Sequence, residues 1–105
     1  MKYKKNRFKK PYGFIDYYYI IDNKYPHGVL IFMGSFVQKE ERGKGLFKLM
    51  IKELFELFPK GTEVQVAISN KILINSFKEL GFVEVDSIEY WGKLDNTVNL
   101  KGFLK

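Results

Sequence analysis

The chain has 105 residues, 46% of them hydrophobic and 17% aromatic, which suffices for one packed domain but not for two. It has no cysteine, which excludes disulfides and thiol chemistry, and its single histidine argues against a structural zinc site. No apolar run reaches membrane-spanning length, and the basic N-terminus lacks the apolar core of a signal peptide. We therefore expect one cytoplasmic domain with no metal and no membrane partner.

The net charge of +6 is concentrated at the N-terminus. The cations there are Lys2, Lys4, Lys5, Arg7, Lys9 and Lys10. The remaining Lys and Arg residues balance the Asp and Glu residues, so residues 1–12 form a basic arm or first strand and residues 13–105 a near-neutral domain. Such an arm can bind nucleic acid through charge and through aromatic residues that stack on bases. A solvated first strand is the simpler interpretation.

The first predicted elements are two strands and a helix. Residues 14–22 and 29–37 are rich in β-branched and aromatic residues and flank a turn, which predicts an antiparallel hairpin. Gly34 within the second strand indicates either a bulge or a close approach of another part of the backbone. Apolar residues then recur at three- and four-residue spacing over 44–58, which predicts a helix that ends at Pro59.

The second half repeats the alternation of strand and helix. Residues 63–68 alternate as one strand, Asn70 can cap the helix that follows, and Gly81 suits the position after its end. Residues 83–94 and 98–104 predict two more strands. The order β-β-α-β-α-β-β predicts one α/β (α+β) domain with no linker and no repeat.

The segment that joins the second strand to the first helix carries two glycines and two cations. Its residues are, in order, Phe36, Val37, Gln38, Lys39, Glu40, Glu41, Arg42, Gly43, Lys44, Gly45, Leu46 and Phe47. The first N–H groups of a helix lack internal partners and carry partial positive charge, and glycine lets a phosphate approach the backbone. The order fits neither the P-loop nor the dinucleotide fingerprint. We predict a phosphate site at residues 42–47; a turn without a ligand is the simpler interpretation.

The order Arg42-Gly43-Lys44-Gly45, five residues after Val37, resembles the coenzyme A loop of the GNAT superfamily of N-acetyltransferases. Residues 69–82 resemble that superfamily's other signature, in which an Asn opens a helix, an aromatic residue follows seven positions later and Leu-Gly-Phe closes it. The resemblance covers residues 36–82, weakens towards residue 104 and is nearly absent before residue 28. It implies a GNAT-like mixed, mostly antiparallel sheet flanked by two main helices.

This resemblance implies that the cofactor is acetyl-CoA and that an amine receives the acetyl group. The loop amides would bind the pyrophosphate, the end of the strand would pair with the pantetheine arm and hold the oxyanion, and Asn70 would contact the pantetheine from the far wall. Phe47 stands where the family often has a small residue. The implied cofactor-binding residues are Phe36, Val37, Arg42, Gly43, Lys44, Gly45, Leu46, Phe47, Asn70 and Phe77.

Two departures from the family concern catalysis. The aromatic residue at Phe77 is usually a Tyr, whose hydroxyl protonates the departing thiolate, so water or Tyr90 would have to replace it as the acid. The strand over residues 29–37 lacks the carboxylate base that some members use. Glu63 is the first candidate base, with Asp16 and His27 behind it, although Glu63 also fits a solvent-facing strand end and His27 a turn.

Members of the superfamily typically begin with one or two helices before this hairpin, whereas only about a dozen residues precede the first predicted strand here. The resemblance then implies an open acceptor side, completed by a partner subunit or by a large acceptor such as a protein. The many aromatic residues also lead us to expect a homodimer. Three functions remain open from the sequence. They are an acetyl-CoA-dependent N-acetyltransferase, a catalytically weak CoA-binding module, and a nucleic-acid-directed protein that uses the basic arm.

Overall fold

The structure, a computed structural model, describes residues 5–88 and 96–105. The strands are β1 (Lys5–Lys10), β2 (Gly13–Asp22), β3 (Tyr25–Val37), β4 (Glu63–Ile68), β5 (Val83–Val85) and β6 (Val98–Phe103). The helices are α1 (Leu46–Phe55) and α2 (Lys71–Glu79), and a 3-10 turn spans Lys39–Glu41. None of the helices in these two ranges has the length and apolar composition that a membrane crossing requires.

The strands form one sheet in the order β1-β2-β3-β4-β6-β5. The pair β3–β4 is parallel and the other neighbours are antiparallel. A right-handed crossover through α1 is the ordinary way to join two adjacent parallel strands. This mixed, mostly antiparallel sheet with two helices confirms the predicted fold class.

The basic N-terminal segment forms an edge strand. β1 pairs with β2 from Lys5 opposite Tyr18 to Lys10 opposite Gly13, and residues 1–4 lie outside the described part of the chain. Two of its four cations form ion pairs: Arg7 with Asp16, and Lys10 with Glu53 of α1, each at 2.7 Å. Two of the positive charges that could have belonged to a free arm are therefore paired with acidic residues of the fold.

Some predicted boundaries are wrong. α1 ends at Phe55 instead of residue 58, and the chain continues in a tight turn in which the N–H of Phe58 donates to the carbonyl of Phe55. The reason is Pro59, which disfavours helical backbone in the residue before it. β5 ends at Val85, and residues 89–94 of the strand predicted over residues 83–94 lie outside the described residues. β2 and β3 begin earlier than predicted.

The bulge predicted at Gly34 is confirmed. Asp16 of β2 lies opposite Gly34 while the next residue, Tyr17, lies opposite Phe32, so Met33 is the extra residue in β3. A bulge bends its strand and increases its local twist. It therefore changes the course of β3 shortly before the strand reaches the glycine loop.

The main core lies between the two helices and one face of the sheet, the helix face. Its buried residues are Ile15, Leu30, Phe32, Met50, Ile51, Leu54, Val64, Val66, Ile74, Phe77, Phe82 and Leu100. On the opposite face, β2 and β3 carry a smaller cluster of Ile20, Tyr25, Val29 and Ile31. Because successive strand residues point to opposite sides, Glu63 and Gln65 also belong to the opposite face.

Candidate functional site

The parallel strands β3 and β4 pair along only part of their length. Their ladder runs from Val29–Glu63 to Phe32–Val66, but β3 continues to Val37 and β4 to Ile68. Beyond the last pair, the facing backbone groups of residues 33–37 and 67–68 have no strand partner within the described residues. We call this opening the wedge. Free backbone groups on facing edges can bind an extended chain as a sheet binds an added strand.

The segment after β3 reaches α1 through two glycines in left-handed conformation. Gly43 has φ +83° and Gly45 has φ +74°, values that L residues rarely adopt. A Cβ at either position would meet no protein atom within 4 Å. The backbone conformation is thus what requires glycine here, and the space in front of the loop is open to a ligand.

The backbone N–H groups of residues 43–48 donate no hydrogen bond to any other part of the described chain. The first bond of the helix runs from the N–H of Leu49 to the carbonyl of Gly45 at 3.2 Å, and the N-cap, Gly45, has no side chain that could cap the helix. Successive N–H groups around left-handed residues form a concave anion site, and the dipole of α1 adds positive potential. We call these six groups the amide cradle.

The start of α2 is closed by its own cap. The side-chain oxygen of Asn70 accepts hydrogen bonds from the N–H groups of Ile72 at 2.9 Å and Leu73 at 3.2 Å. The predicted cap is therefore confirmed. A contact between Asn70 and a pantetheine arm stays a prediction. The side-chain NH₂ group would have to make this contact, because the oxygen already accepts two hydrogen bonds.

The two cations of the loop both have protein partners. The Nε of Arg42 donates to the carbonyl of Val37 at 2.9 Å, and its guanidinium lies 5.8 Å from the centre of the Phe36 ring. The Nζ of Lys44 lies 3.0 Å from a carboxylate oxygen of Glu41. The positive potential of the cradle thus depends more on its amides than the sequence suggested.

Phe77 lies in the core rather than on a wall of the wedge. Its side chain has no accessible surface, and its ring lies 5.3 Å from that of Phe32, 5.8 Å from Phe47 and 5.2 Å from Phe82. A cofactor reaches a fully buried ring only if the core moves. Phe77 can therefore act on the site through Phe47, the second residue of α1, which is only partly buried.

Glu63 is buried at the other end of the β3–β4 ladder. Its residue is 7% exposed, its carboxylate accepts a hydrogen bond from Gln65 at 2.5 Å, and it lies 3.5 Å from the Nζ of Lys101. The solvent-facing interpretation of Glu63 is wrong. Glu63 lies three positions before Val66, the residue at the start of the wedge, which corresponds to roughly 10 Å along the strand. Its role as a base remains a prediction that requires a proton relay.

The other predicted catalytic residues do not meet at the wedge. Asp16 is held by Arg7, which lowers the pKa of its carboxyl group through a hydrogen bond. His27 lines a hollow of about 300 Å³ together with Glu63, at the same distant end of the ladder. Tyr90 lies outside the described residues. Over residues 5–88 and 96–105, no three His, Asp or Glu side chains group in a way that could bind a metal ion.

Two residues of the site were not found by sequence reasoning. Gln38 donates its N–H to the carbonyl of Tyr12 at 2.8 Å and its side-chain NH₂ to the carbonyl of Pro11 at 3.3 Å. Met33 is the bulge residue beside the wedge. Both roles depend on strand register, for which Gly34 was the only sequence signal.

Known sequences and known structures give different results. No sequence model of a protein family matches this chain, and no curated protein matches it. Solved structures do match. A GNAT-family acetyltransferase from Streptococcus pneumoniae superposes with a TM-score of 0.63 at 15% identity, over 90% of this chain and 60% of that one.

Two plant enzymes match equally well. Naa50 of Arabidopsis thaliana, in complex with the bisubstrate analogue CoA-Ac-MVNAL, gives a TM-score of 0.65 at 16% identity, over 87% of this chain and 64% of that one. NAA60 of the same plant, in complex with acetyl-CoA, gives 0.61 at 16% identity over the same shares. This chain thus spans about three-fifths of each matched chain. It has the fold of the GNAT acetyltransferases.

Proposed function

We propose that this protein binds acetyl-CoA at the amide cradle and transfers the acetyl group to an amine of a protein or another large acceptor. The observation that carries the proposal is the row of six amides, residues 43–48, that donate to nothing else in the described chain. They lie at the start of α1, one short turn after the strand that borders the wedge. An uncapped helix start is a ready site for phosphate. The combination suits a ligand with both a pyrophosphate and an extended amide-containing arm.

The residues present fit such a ligand part by part. The cradle offers N–H donors to the two phosphates, and each charge-assisted bond is about twice as strong as a neutral one. Apart from the Val37 carbonyl, which accepts from Arg42, the edge of residues 33–37 offers backbone groups to the amides of the pantetheine arm. Bound acetyl-CoA would supply an activated thioester. An N–H of this edge would then hold the negative charge that develops on the thioester oxygen.

The matched structures support the cofactor and the acceptor class. NAA60 was solved with acetyl-CoA, and Naa50 was solved with an analogue that joins CoA to the peptide MVNAL. A fold that binds both groups in other proteins offers a precedent for a peptide amine as the acceptor here. At the β3 end of the wedge, Phe36 is 44% exposed, so this rim of the site is in contact with solvent.

A second function, CoA binding with little catalysis, is favoured by two specific observations. Phe77 has no hydroxyl and is fully buried, so it cannot protonate a thiolate, an act typically worth 10²- to 10⁴-fold in rate. Glu63 lies about 10 Å of strand away from the wedge. An acceptor amine with a pKa near 10.4 would then depend on water for its deprotonation.

The binding half of the proposal is tested by titration calorimetry with acetyl-CoA. Gly43→Ala should weaken binding by about tenfold or more, because alanine resists φ +83° by 1–2 kcal/mol and its methyl group enters the cradle. Gly81→Ala is the matched control. Gly81 also has a positive φ and open space around it, but it lies after α2, so this variant should bind as the wild type does.

The catalytic half is tested by incubating the protein with acetyl-CoA and peptides that carry a free α-amine or a lysine. Thiol release together with the mass gain of one acetyl group on the peptide supports an acetyltransferase. Binding without turnover supports the weak CoA module. Absence of binding at millimolar acetyl-CoA contradicts both. Salt-sensitive DNA binding that is lost when the exposed Lys5 and Lys9 are both changed to Gln would then favour the nucleic-acid function.

A further inference from the structure

Four side chains on the opposite face of the sheet form a continuous stack from the edge strand to the glycine loop. The guanidinium of Arg7 lies 3.8 Å from the centre of the Phe14 ring. Phe14 stacks on Phe36 with ring centres 5.7 Å apart and an interplanar angle of 27°, and Arg42 lies 5.8 Å from the Phe36 ring. We call these four residues the Arg–Phe ladder. It joins β1, β2, β3 and the loop.

Each end of the Arg–Phe ladder is also held by hydrogen bonds. Arg7 binds both carboxylate oxygens of Asp16, at 2.7 and 3.1 Å. Arg42 donates its Nε–H to the carbonyl of Val37, the last residue of β3. This bond spans the 3-10 turn, so it closes the short loop between the end of the strand and the residue immediately before Gly43.

The guanidinium of Arg42 has no acidic partner within the described residues. Its contacts are instead a carbonyl and a ring, which use the planar shape and the fixed Nε–H of arginine. A lysine has the same charge, but its donors lie at the end of a flexible stem and it lacks both the planar guanidinium and the Nε–H that reaches the Val37 carbonyl, so it cannot keep this geometry. The substitution Arg42→Lys therefore keeps the charge of the side chain but removes its shape, so the two contributions can be measured separately.

We propose that Arg42 is a positioning residue, which acts on cofactor binding by fixing the loop rather than by contacting phosphate. This inference rests on the proposed function. By closing the turn onto Val37 and Phe36, Arg42 sets the backbone that leads into the amide cradle. A cradle that is already ordered binds without the entropy cost of ordering it. The Arg–Phe ladder extends this support to the edge strand.

The test uses Arg42→Lys and Arg42→Gln, with Lys60→Gln as the control for loss of a charge at an exposed position away from the loop. If Arg42 positions the loop, both Arg42 variants should lower the affinity for acetyl-CoA by a similar factor of about five, the value of one lost hydrogen bond. In Arg42→Lys, which keeps the charge, the salt dependence of binding should remain that of the wild type although the affinity falls. Lys60→Gln should bind normally.

A direct phosphate contact predicts the opposite pattern. Arg42→Lys would then retain most of the affinity, while Arg42→Gln would lose it and would make binding less sensitive to salt, because one attractive charge is gone. That result overturns the proposal. So does a wild-type affinity in both variants.

A second readout does not depend on acetyl-CoA. The N–H of Glu41 donates to the carbonyl of Gln38, and the N–H of Arg42 donates to that of Lys39. If Arg42 holds the turn, hydrogen exchange of these two amides in the free protein should accelerate in Arg42→Lys and in Phe36→Leu, but not in Lys60→Gln. Unchanged exchange in both variants overturns the proposal, even if the wild type fails to bind acetyl-CoA and the proposed function falls.

Discussion

The two helices begin at the same end of the same parallel strand pair, yet their starts differ. α2 follows β4, and Asn70 pairs with two of its first N–H groups. α1 follows β3, and its N-cap is a left-handed glycine with no side chain to offer. A helix start that the protein closes with its own oxygen needs no ligand, whereas one left open is poised for an external anion.

The sheet explains why this difference matters. Because β3 and β4 are parallel, both helix starts lie beyond the carboxyl ends of these strands, where open α/β sheets bind their ligands. The wedge lies between the same two ends. One wall therefore carries the uncapped start of α1 and the other a capped helix in which the Asn70 NH₂ group has no partner among the described residues, an asymmetry that would suit a ligand charged at one end only.

The sharpest way to break this contrast is to give α1 a charged cap. Gly45→Asp should reduce the affinity for acetyl-CoA about 100-fold, because a carboxylate within about 4 Å of a phosphate repels it by several kcal/mol at the protein surface. Aspartate tolerates a left-handed backbone, so the fold should survive. Calorimetry measures the affinity and thermal unfolding checks the fold.

Gly45→Asn is the matched control, since it adds a cap oxygen without a charge. We expect only a loss of about fivefold, from competition between the new oxygen and the phosphate for the same N–H groups. Equal affinities for the Asp and Asn variants would mean that no phosphate lies at the start of α1.

The reciprocal change removes the cap of α2. Asn70→Ala should lower the free energy of unfolding by about 1 kcal/mol, the usual cost of losing an N-cap, and should leave the conformation of the glycine loop intact. Urea denaturation provides the measurement.

Asn70→Asp separates the cap from a contact with the ligand. Aspartate keeps the cap oxygen and suits a helix start, so stability should be retained, but it lacks the NH₂ group. If that group contacts the pantetheine arm, the affinity for acetyl-CoA should fall about fivefold. Wild-type affinity in this variant would leave capping as the only role of Asn70.

The smallest effect concerns the ion pair that joins the two helices. The Nζ of Lys48, in the first turn of α1, lies 2.5 Å from a carboxylate oxygen of Glu79 at the end of α2. The hydrogen bond from Lys48 holds the pKa of Glu79 below its ordinary value of 4.5. The pair therefore stabilises the fold above that value, and the contribution disappears as the pH falls through the lowered pKa.

Glu79→Gln should reveal this dependence as a small change in the urea midpoint. The wild type should be slightly more stable at pH 7, since exposed pairs contribute little, and the two stabilities should converge as the pH falls through the lowered pKa of Glu79. A difference that persists at low pH would show that the substitution acts through packing instead of charge.

Local signals made much of the fold predictable. The glycine loop, the Asn70 cap and the 63–68 strand depend on residues close together in the sequence, and they appear where predicted. The N-terminal segment was predicted as either a basic arm or a first strand, because a strand at the edge of a sheet can present charges on its exposed side. Its pairing with β2 depends on contacts that composition does not report.

The sequence predicted where in the chain the candidate site lies, but it did not predict which atoms its side chains contact. Arg42 was expected to add charge to the loop, whereas its guanidinium lies against Phe36 and Val37. Glu63 was expected in solvent, whereas it is buried beside Gln65. Both outcomes depend on the face of the sheet to which a residue points, and a single shift in strand register reverses that face.

The most direct test of the central claim is to follow the backbone amide resonances of residues 43–48 by NMR as acetyl-CoA is added, with sodium chloride at matched ionic strength as the control. The account predicts saturable shifts that are largest at these six amides, accompanied by shifts over residues 33–37 along the wedge. An unchanged spectrum at millimolar acetyl-CoA, or shifts confined to the basic edge strand, would contradict it.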